Sequence, residues 1–285
     1  MKTVGIVAEY NPFHAGHRKQ FDRVKAEFGG ETAIVCAMSG NYVQRGAPAV
    51  MDKTLRAKAA VACGADLVVE LPTTVSLSSA EGFAAGGVGI LSKLCDTLCF
   101  GAETGEAELL METARALLSE DFSPLLRREL DGGKSFPAAR AEALAQMGLS
   151  GEILRRPNDI LAVEYCKAIL ELGASLVPIP LPRQGAGHGQ ALTETGGQFA
   201  SASALRTLWQ NGGADAAAPY VPVEVLPLYR EAFAAGQYTD FSAAGRCELA
   251  LLRARCTGET PFAKVRGVSE GLEHRLEKAV RASTT

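Results

Sequence analysis

Over its first hundred residues the chain alternates short apolar runs with segments of helical period, a pattern that predicts an α/β protein on a parallel sheet. Three observations carry this. The apolar runs are continuous rather than alternating, as expected for strands covered on both faces. Amphipathic segments of period 3.6 separate them. Glycine or proline marks almost every change of period. The 285 residues are enough for one large core, or one core with a smaller appendage.

The elements follow in order. Thr3–Glu9 is a short β-rich run, and His17–Phe28 then carries Phe21, Val24 and Phe28 at helical spacing. Gly29-Gly30 ends that helix, and Thr32–Met38 is a second apolar strand. The polar loop SGNYVQRGAP leads to a helix over 51–63, closed by Gly64. Asp66–Leu71 is the third strand, stopped at Pro72; Ala80–Leu94 reads as a helix and Thr97–Gly101 as the fourth strand. Residues 105–172 read as mostly helical, with breaks at Leu130–Phe136 and near Arg156-Pro157. Leu176–Pro180 is the fifth strand, followed by the glycine-rich loop RQGAGHGQ and a helix over Ser201–Asn211 closed by Gly212-Gly213. The expected division is an α/β domain over 1–213, with its helical insertion, and a partial helical domain over 214–285.

Composition excludes several classes. Apolar residues make up 47 % and charged residues 21 %, as in ordinary globular proteins. A net charge of −3 argues against a purely electrostatic nucleic-acid binder, although a local basic patch remains open. The N-terminus lacks a signal-peptide pattern and no apolar run approaches a membrane span, so a cytoplasmic protein without membrane contact is expected. The seven cysteines form no C-x-x-C and lie mostly in apolar runs, which reads as reduced buried thiols. They pair with no histidine at ligand spacing, so no metal site is expected.

The chemistry gathers in VGIVAEYNPFHAGHRKQ, residues 4–20. The chain has four histidines, and two of them, His14 and His17, stand three apart around Gly16. In a parallel sheet, ligands collect beyond the carboxyl ends of the strands, and this turn follows the first strand. The spacing places both imidazoles on one side of a helical turn whose N–H groups and dipole favour an anion such as phosphate. Gly16 removes a side chain that would hold the ligand off the backbone. The bland alternative is that one histidine caps and the other packs. No G-x-x-x-x-G-K-[ST] occurs, and GAGHG at 185–189 opens no helix. A second constellation, SASALR at 201–206, offers two hydroxyls and Arg206 at a helix start, either as simple capping or as a clamp for phosphate oxygens.

Nine ordered blocks, among them VGIVAEYNPFHAGH, MSGNYVQRGAPAV, LCFGAE, RRPNDILAVEY, PIPLPRQGAGH, FASASALR and EGLEHRL, resemble the bacterial tRNA(Met) cytidine acetate ligase family over essentially the whole chain. The resemblance implies a Rossmann-like, HIGH-type nucleotidyltransferase fold with a five-stranded parallel sheet and an additional helical region. It implies an ATP-dependent ligase that forms acetyl-adenylate, with Mg²⁺ on the ATP phosphates, and passes acetyl to N4 of the wobble cytidine of elongator tRNA(Met). Acetate and that tRNA are the expected partners, with neither DNA nor membrane. Carried over, His14, His17 and Arg206 are catalytic. Val7, Ala8, Glu9, Tyr10, Asn11, Pro12, Phe13, His14, Ala15, Gly16, His17, Arg18, Lys19 and Gln20 line the ATP site. Gly101, Asn158, Arg183, Ser201, Ser203 and Arg206 complete it. Gln44 and Arg45, with Asn41, lie in a loop that meets acetate or RNA, or is solvated surface; Glu70 is a site residue or a structural partner.

Two departures qualify this. The family has Asn-Asn where this chain has Asn158-Asp159, and Gly where it has Ala162. A carboxylate there either weakens ATP binding or points away. Family members also continue past EGLEHRL into a region with a basic Lys-Thr-Lys-Arg segment, so a truncated C-terminal region is expected here, which bears on RNA affinity more than on ATP. The competing readings are a generic nucleotidyltransferase adenylating a small metabolite, and a non-catalytic RNA-binding module.

Overall fold

The computed structural model describes residues 1–44, 46–182, 200–258, 261–265, 267–268 and 271–284. It divides into two compact units, Met1–Gln237 and Tyr238–Thr285. The first runs β1 (Thr3–Ala8), α1 (Ala15–Phe28), β2 (Ala33–Ser39), α2 (Lys53–Ala62), β3 (Leu67–Leu71), the single turn α3 (Thr73–Ser76), α4 (Ala80–Leu91) and β4 (Thr97–Ala102). It continues through α5 (Ala107–Leu118), α6 (Phe122–Asp131), α7 (Phe136–Gln146), α8 (Pro157–Glu171), β5 (Val177–Pro182), α9 (Ala202–Ala216) and α10 (Leu226–Ala234). Gly213, at the end of the expected first domain, has φ 68° and kinks α9.

All five strands are parallel, in the order β3-β2-β1-β4-β5. The direction of winding reverses between β1 and β4, and the crevice beyond their carboxyl ends is where such a sheet receives a ligand. At the opposite end, Thr3 and Asp96 clamp β1 to β4: the Thr3 N–H and hydroxyl donate to Asp96 Oδ2 at 3.0 and 2.8 Å.

On one face, Val35, Ala37, Leu98, Phe100 and Ala102 pack with α4, α5 and α8 in the main core. The glycines of AAGGVG let α4 lie directly on the sheet, since a Cβ on Gly87 would sit 2.6 Å from a Val7 methyl. On the other face, Phe21 and Val24 of α1 are buried, and Gln20 Nε2 meets Cys99 Sγ at 3.7 Å. Between α4, α7 and α8 runs an ion chain: Lys167 donates to Glu81 (2.8 Å) and Glu164 (3.0 Å), and Arg140 to Glu164 (2.6 Å).

The second unit pairs α11 (Phe241–Arg255) with α12 (Leu272–Ala282) over Leu249, Phe262 and Val280. Asp240 caps α11 by accepting from the Ser242 and Ala243 N–H groups. No helix among the described residues is long and apolar enough to cross a membrane.

Candidate active site

Glu9–His14 links β1 to α1 at the switch point, and His14 is the N-cap of α1. Its Nδ1 accepts from the Gly16 N–H at 3.1 Å, and His17 Nδ1 accepts in return from the His14 N–H at 3.3 Å. This is a capping box made of two imidazoles. An Nδ1 that accepts carries no proton, so the hydrogen of each neutral ring sits on Nε2. The rings stack with centroids 3.8 Å apart. The sequence placed bare backbone N–H groups at this turn; two of them instead bond the imidazoles, which turn the donor role over to Nε2. Capping through Nδ1 therefore leaves each ring a donor at Nε2, so a capping role and a donor role are compatible in one arrangement.

The aromatic neighbours fix the rings. Tyr10 stands 4.9 Å edge-on to His17, and Phe13 5.4 Å from it. Tyr10 is buried with φ 43°, and its hydroxyl meets Cys36 Sγ at 3.2 Å. Burial raises the Tyr10 phenol well above its ordinary range and pushes the Cys36 thiol up to about 12, so neither ionises near neutrality.

Three alternate carbonyls of the loop are held from outside. Glu9 O accepts from Arg56 Nη1 (2.5 Å), Asn11 O from Arg206 Nη1 (2.6 Å) and Phe13 O from the Tyr229 hydroxyl (2.9 Å). Arg206 thus joins SASALR to the opening motif across 195 residues of sequence. Ser201 caps α9, accepting from the Ala204 N–H at 3.2 Å, and its hydroxyl lies 3.0 Å from that of Ser203. Asn11 Oδ1 accepts from the Val50 N–H at 2.7 Å.

The other expected site residues that the structure describes have definite places. Val7 and Ala8 end β1; Pro12 is buried, and Ala15, Gly16 and Lys19 are half-buried on the first turns of α1. Arg18 spends its guanidinium on Asp22 (3.0 Å) and Glu224 (2.9 Å), and Gln20 turns to the sheet. The Gln44 N–H donates to Glu9 Oε1 at 2.7 Å. Gly101 is in register with Leu181 at the end of β4. Glu70 pairs with Lys53 at 2.6 Å, so it has a structural partner. Arg45 and Arg183 lie outside the described residues.

Asp159 does not face a ligand. It is fully buried, and its carboxylate accepts from the N–H groups of Glu103 and Thr104 and from the Thr104 hydroxyl, each at 2.8 Å. Glu103 returns the contact, accepting from Asn158 Nδ2 (2.6 Å) and the Asp159 N–H (2.9 Å). The β4–α5 turn and the start of α8 thus cap each other.

Sequence reasoning missed Arg56. Its guanidinium is fully buried and donates to Glu9 O, Met51 O (3.0 Å), Ser39 O (3.1 Å) and Gly40 O, tying the ends of β1 and β2 together. Desolvation lowers its pKa to about 10, so it remains a cation. A signal existed: Arg56 shares the i, i+3, i+4, i+7 stripe of Ala59, Ala60 and Cys63, all buried. Tyr229 gave none, because a buried tyrosine on a helix reads as core.

A sheet wound in this order, with H-x-G-H at its switch point and a Ser-x-Ser-x-x-Arg helix returning onto it, defines a nucleotidyltransferase of the HIGH type. The family described as HIGH Nucleotidyl Transferase matches residues 1–285. The tRNA(Met) cytidine acetate ligase of Acetivibrio thermocellus is 35% identical over 100% of this chain and 71% of its own length. That of a Geobacillus species is 33% identical over 100% of this chain and 72% of its own. The crystal structure of Thermotoga maritima TmcAL bound with alpha-thio ATP superposes with a TM-score of 0.87 at 32% identity, covering 99% of this chain and 68% of that one; its apo form gives 0.90 at 33%. The chain belongs to the tRNA(Met) cytidine acetate ligase family.

Proposed function

We propose that this protein activates acetate with ATP and transfers the acetyl group to N4 of the wobble cytidine of elongator tRNA(Met) in the cytoplasm. The observation that carries the reading is the paired-histidine capping box at the β1/β4 switch point, bonded through Asn11 O to the arginine of SASALR. The names of the relatives and the ATP analogue held by the Thermotoga maritima protein support it.

An acetate oxygen attacks the α-phosphorus of ATP in line, and pyrophosphate leaves with the electrons of the broken P–O bond. Acetate is already an anion at neutral pH, so this step requires no general base. It requires positioning and stabilisation of the charge that shifts onto the phosphate oxygens. The Nε2–H groups of His14 and His17 supply donors, and Arg206, Ser201 and Ser203 oppose them from α9. The cytidine amine then attacks the acetyl carbonyl of the mixed anhydride and releases AMP. Residues 7–20 with Gly101, Asn158 and Arg183 would surround the nucleotide. Gln44 and Arg45 would stand on the acetate or RNA side. Mg²⁺ would accompany the phosphates of ATP.

ATP–pyrophosphate exchange tests this directly. Exchange that requires acetate, followed by acetylation of tRNA(Met), is the expected outcome. Exchange that ignores acetate and answers instead to a phosphorylated metabolite would replace acetate ligation with metabolite adenylation.

A further inference from the structure

The Phe13–His14 peptide is bonded on both sides. Its carbonyl accepts from the Tyr229 hydroxyl at 2.9 Å, and its N–H donates to His17 Nδ1 at 3.3 Å. A peptide group is planar, so fixing the direction of the carbonyl also fixes that of the N–H. We infer that Tyr229 of α10 is a positioning residue for the adenylation step, orienting His17 through the Phe13–His14 peptide so that its Nε2–H is the donor presented to the phosphates. The inference rests on the function proposed above.

The geometry suits this role. Tyr229 is fully buried and packs edge-on to Trp209 with centroids 5.0 Å apart, so its hydroxyl has little freedom. The aromatic faces of Tyr10, Phe13 and His14 stand against the imidazole it influences, and they fix the ring's place but not its tautomer. The tautomer depends on the hydrogen bond to Nδ1. Each link in the chain from hydroxyl to peptide to imidazole polarises the next, which favours the Nε2–H form. Tyr229 reaches the loop through a main-chain carbonyl, from 216 residues beyond Phe13.

The test is Tyr229→Phe, which deletes one oxygen and keeps the ring on Trp209. Two measurements are made: acetate-dependent ATP–pyrophosphate exchange, and the ¹⁵N resonances of His17 in selectively labelled protein. In the unsubstituted protein His17 is expected to be the Nε2–H tautomer. The variant is expected to lose about tenfold in kcat, below the ~100-fold that follows a full 1 Å misplacement. KM for ATP is expected to move less than about twofold, because nearly all ATP contacts remain. The His17 resonances are expected to shift toward a mixture of tautomers. A purely structural Tyr229 would lower thermal stability and leave the His17 resonances of the folded variant in place, overturning the inference. An Nδ1–H tautomer in the unsubstituted protein overturns it without any variant. If the unsubstituted protein shows no acetate-dependent exchange, the proposed function fails, while the resonances still decide whether Tyr229 orients His17.

Discussion

Asp159 is fully buried in the first turn of α8, and its surroundings set the cost of removing it. In Asp159→Ala, the Glu103 and Thr104 N–H groups and the Thr104 hydroxyl, each bonded at 2.8 Å, lose their acceptor. Glu103 is exposed and Thr104 half-buried, so water can reach part of the vacated space. The low end of the range applies, about 1 kcal/mol for each orphaned donor and about 3 kcal/mol in all. For a unit of this size that lowers Tm by roughly 6–12 °C. Asp159→Asn behaves differently, because the amide oxygen still accepts both N–H groups and the amide nitrogen donates to the Thr104 hydroxyl. Its cost is about 1 kcal/mol or less, from lost charge assistance and a 3.8 Å pairing with the half-exposed Arg156. Urea unfolding followed by the fluorescence of Trp209, the single tryptophan, measures both variants. An asparagine variant as damaged as the alanine one would refute the hydrogen-bond account and make the charge itself the stabilising element. An alanine variant within about 1 kcal/mol of the parent would show that the cap is dispensable.

Three further outcomes are expected. His14→Asn keeps an N-cap acceptor for the Gly16 N–H and should retain stability, whereas His14→Ala should lose about 1 kcal/mol; both should lose about 100-fold or more in exchange, and an active asparagine variant would deny the ring its chemical role. Gly87→Ala should cost about 1–3 kcal/mol, because its Cβ would lie 2.6 Å from a Val7 methyl; unchanged denaturant unfolding would show that α4 shifts freely. The hydrogen bond and charge of Lys167 hold the Glu81 carboxyl below its ordinary 4.5. The contribution of Glu81 is therefore full above 4.5 and lost as pH falls through the lower folded value, so Lys167→Met should flatten stability against pH in the acid range. An unaltered profile in that variant would remove Glu81 from the acid response.

The alternation of strands and helices along the chain was legible because apolar runs such as Thr32–Met38 are continuous and segments of helical period separate them. The paired histidines and SASALR were legible because their spacing already places the groups on one helical turn. Boundaries were less so. The glycines at 212–213 predicted the end of a helix, but α9 continues past them to Ala216 with a kink, since Gly213 takes φ 68° without terminating the element.

The sequence by itself determined the sheet, the turn that carries the two imidazoles and the family to which the chain belongs, all of which depend on local period and adjacent residues. Tertiary structure decided the rest. It alone brought Arg206 to Asn11, Tyr229 to Phe13 and Arg56 to the ends of β1 and β2. It also turned Asp159 inward to the Glu103–Thr104 turn. These contacts join residues 17 to 216 positions apart, and a main-chain carbonyl or N–H as partner leaves no mark on the identity of the residue that carries it.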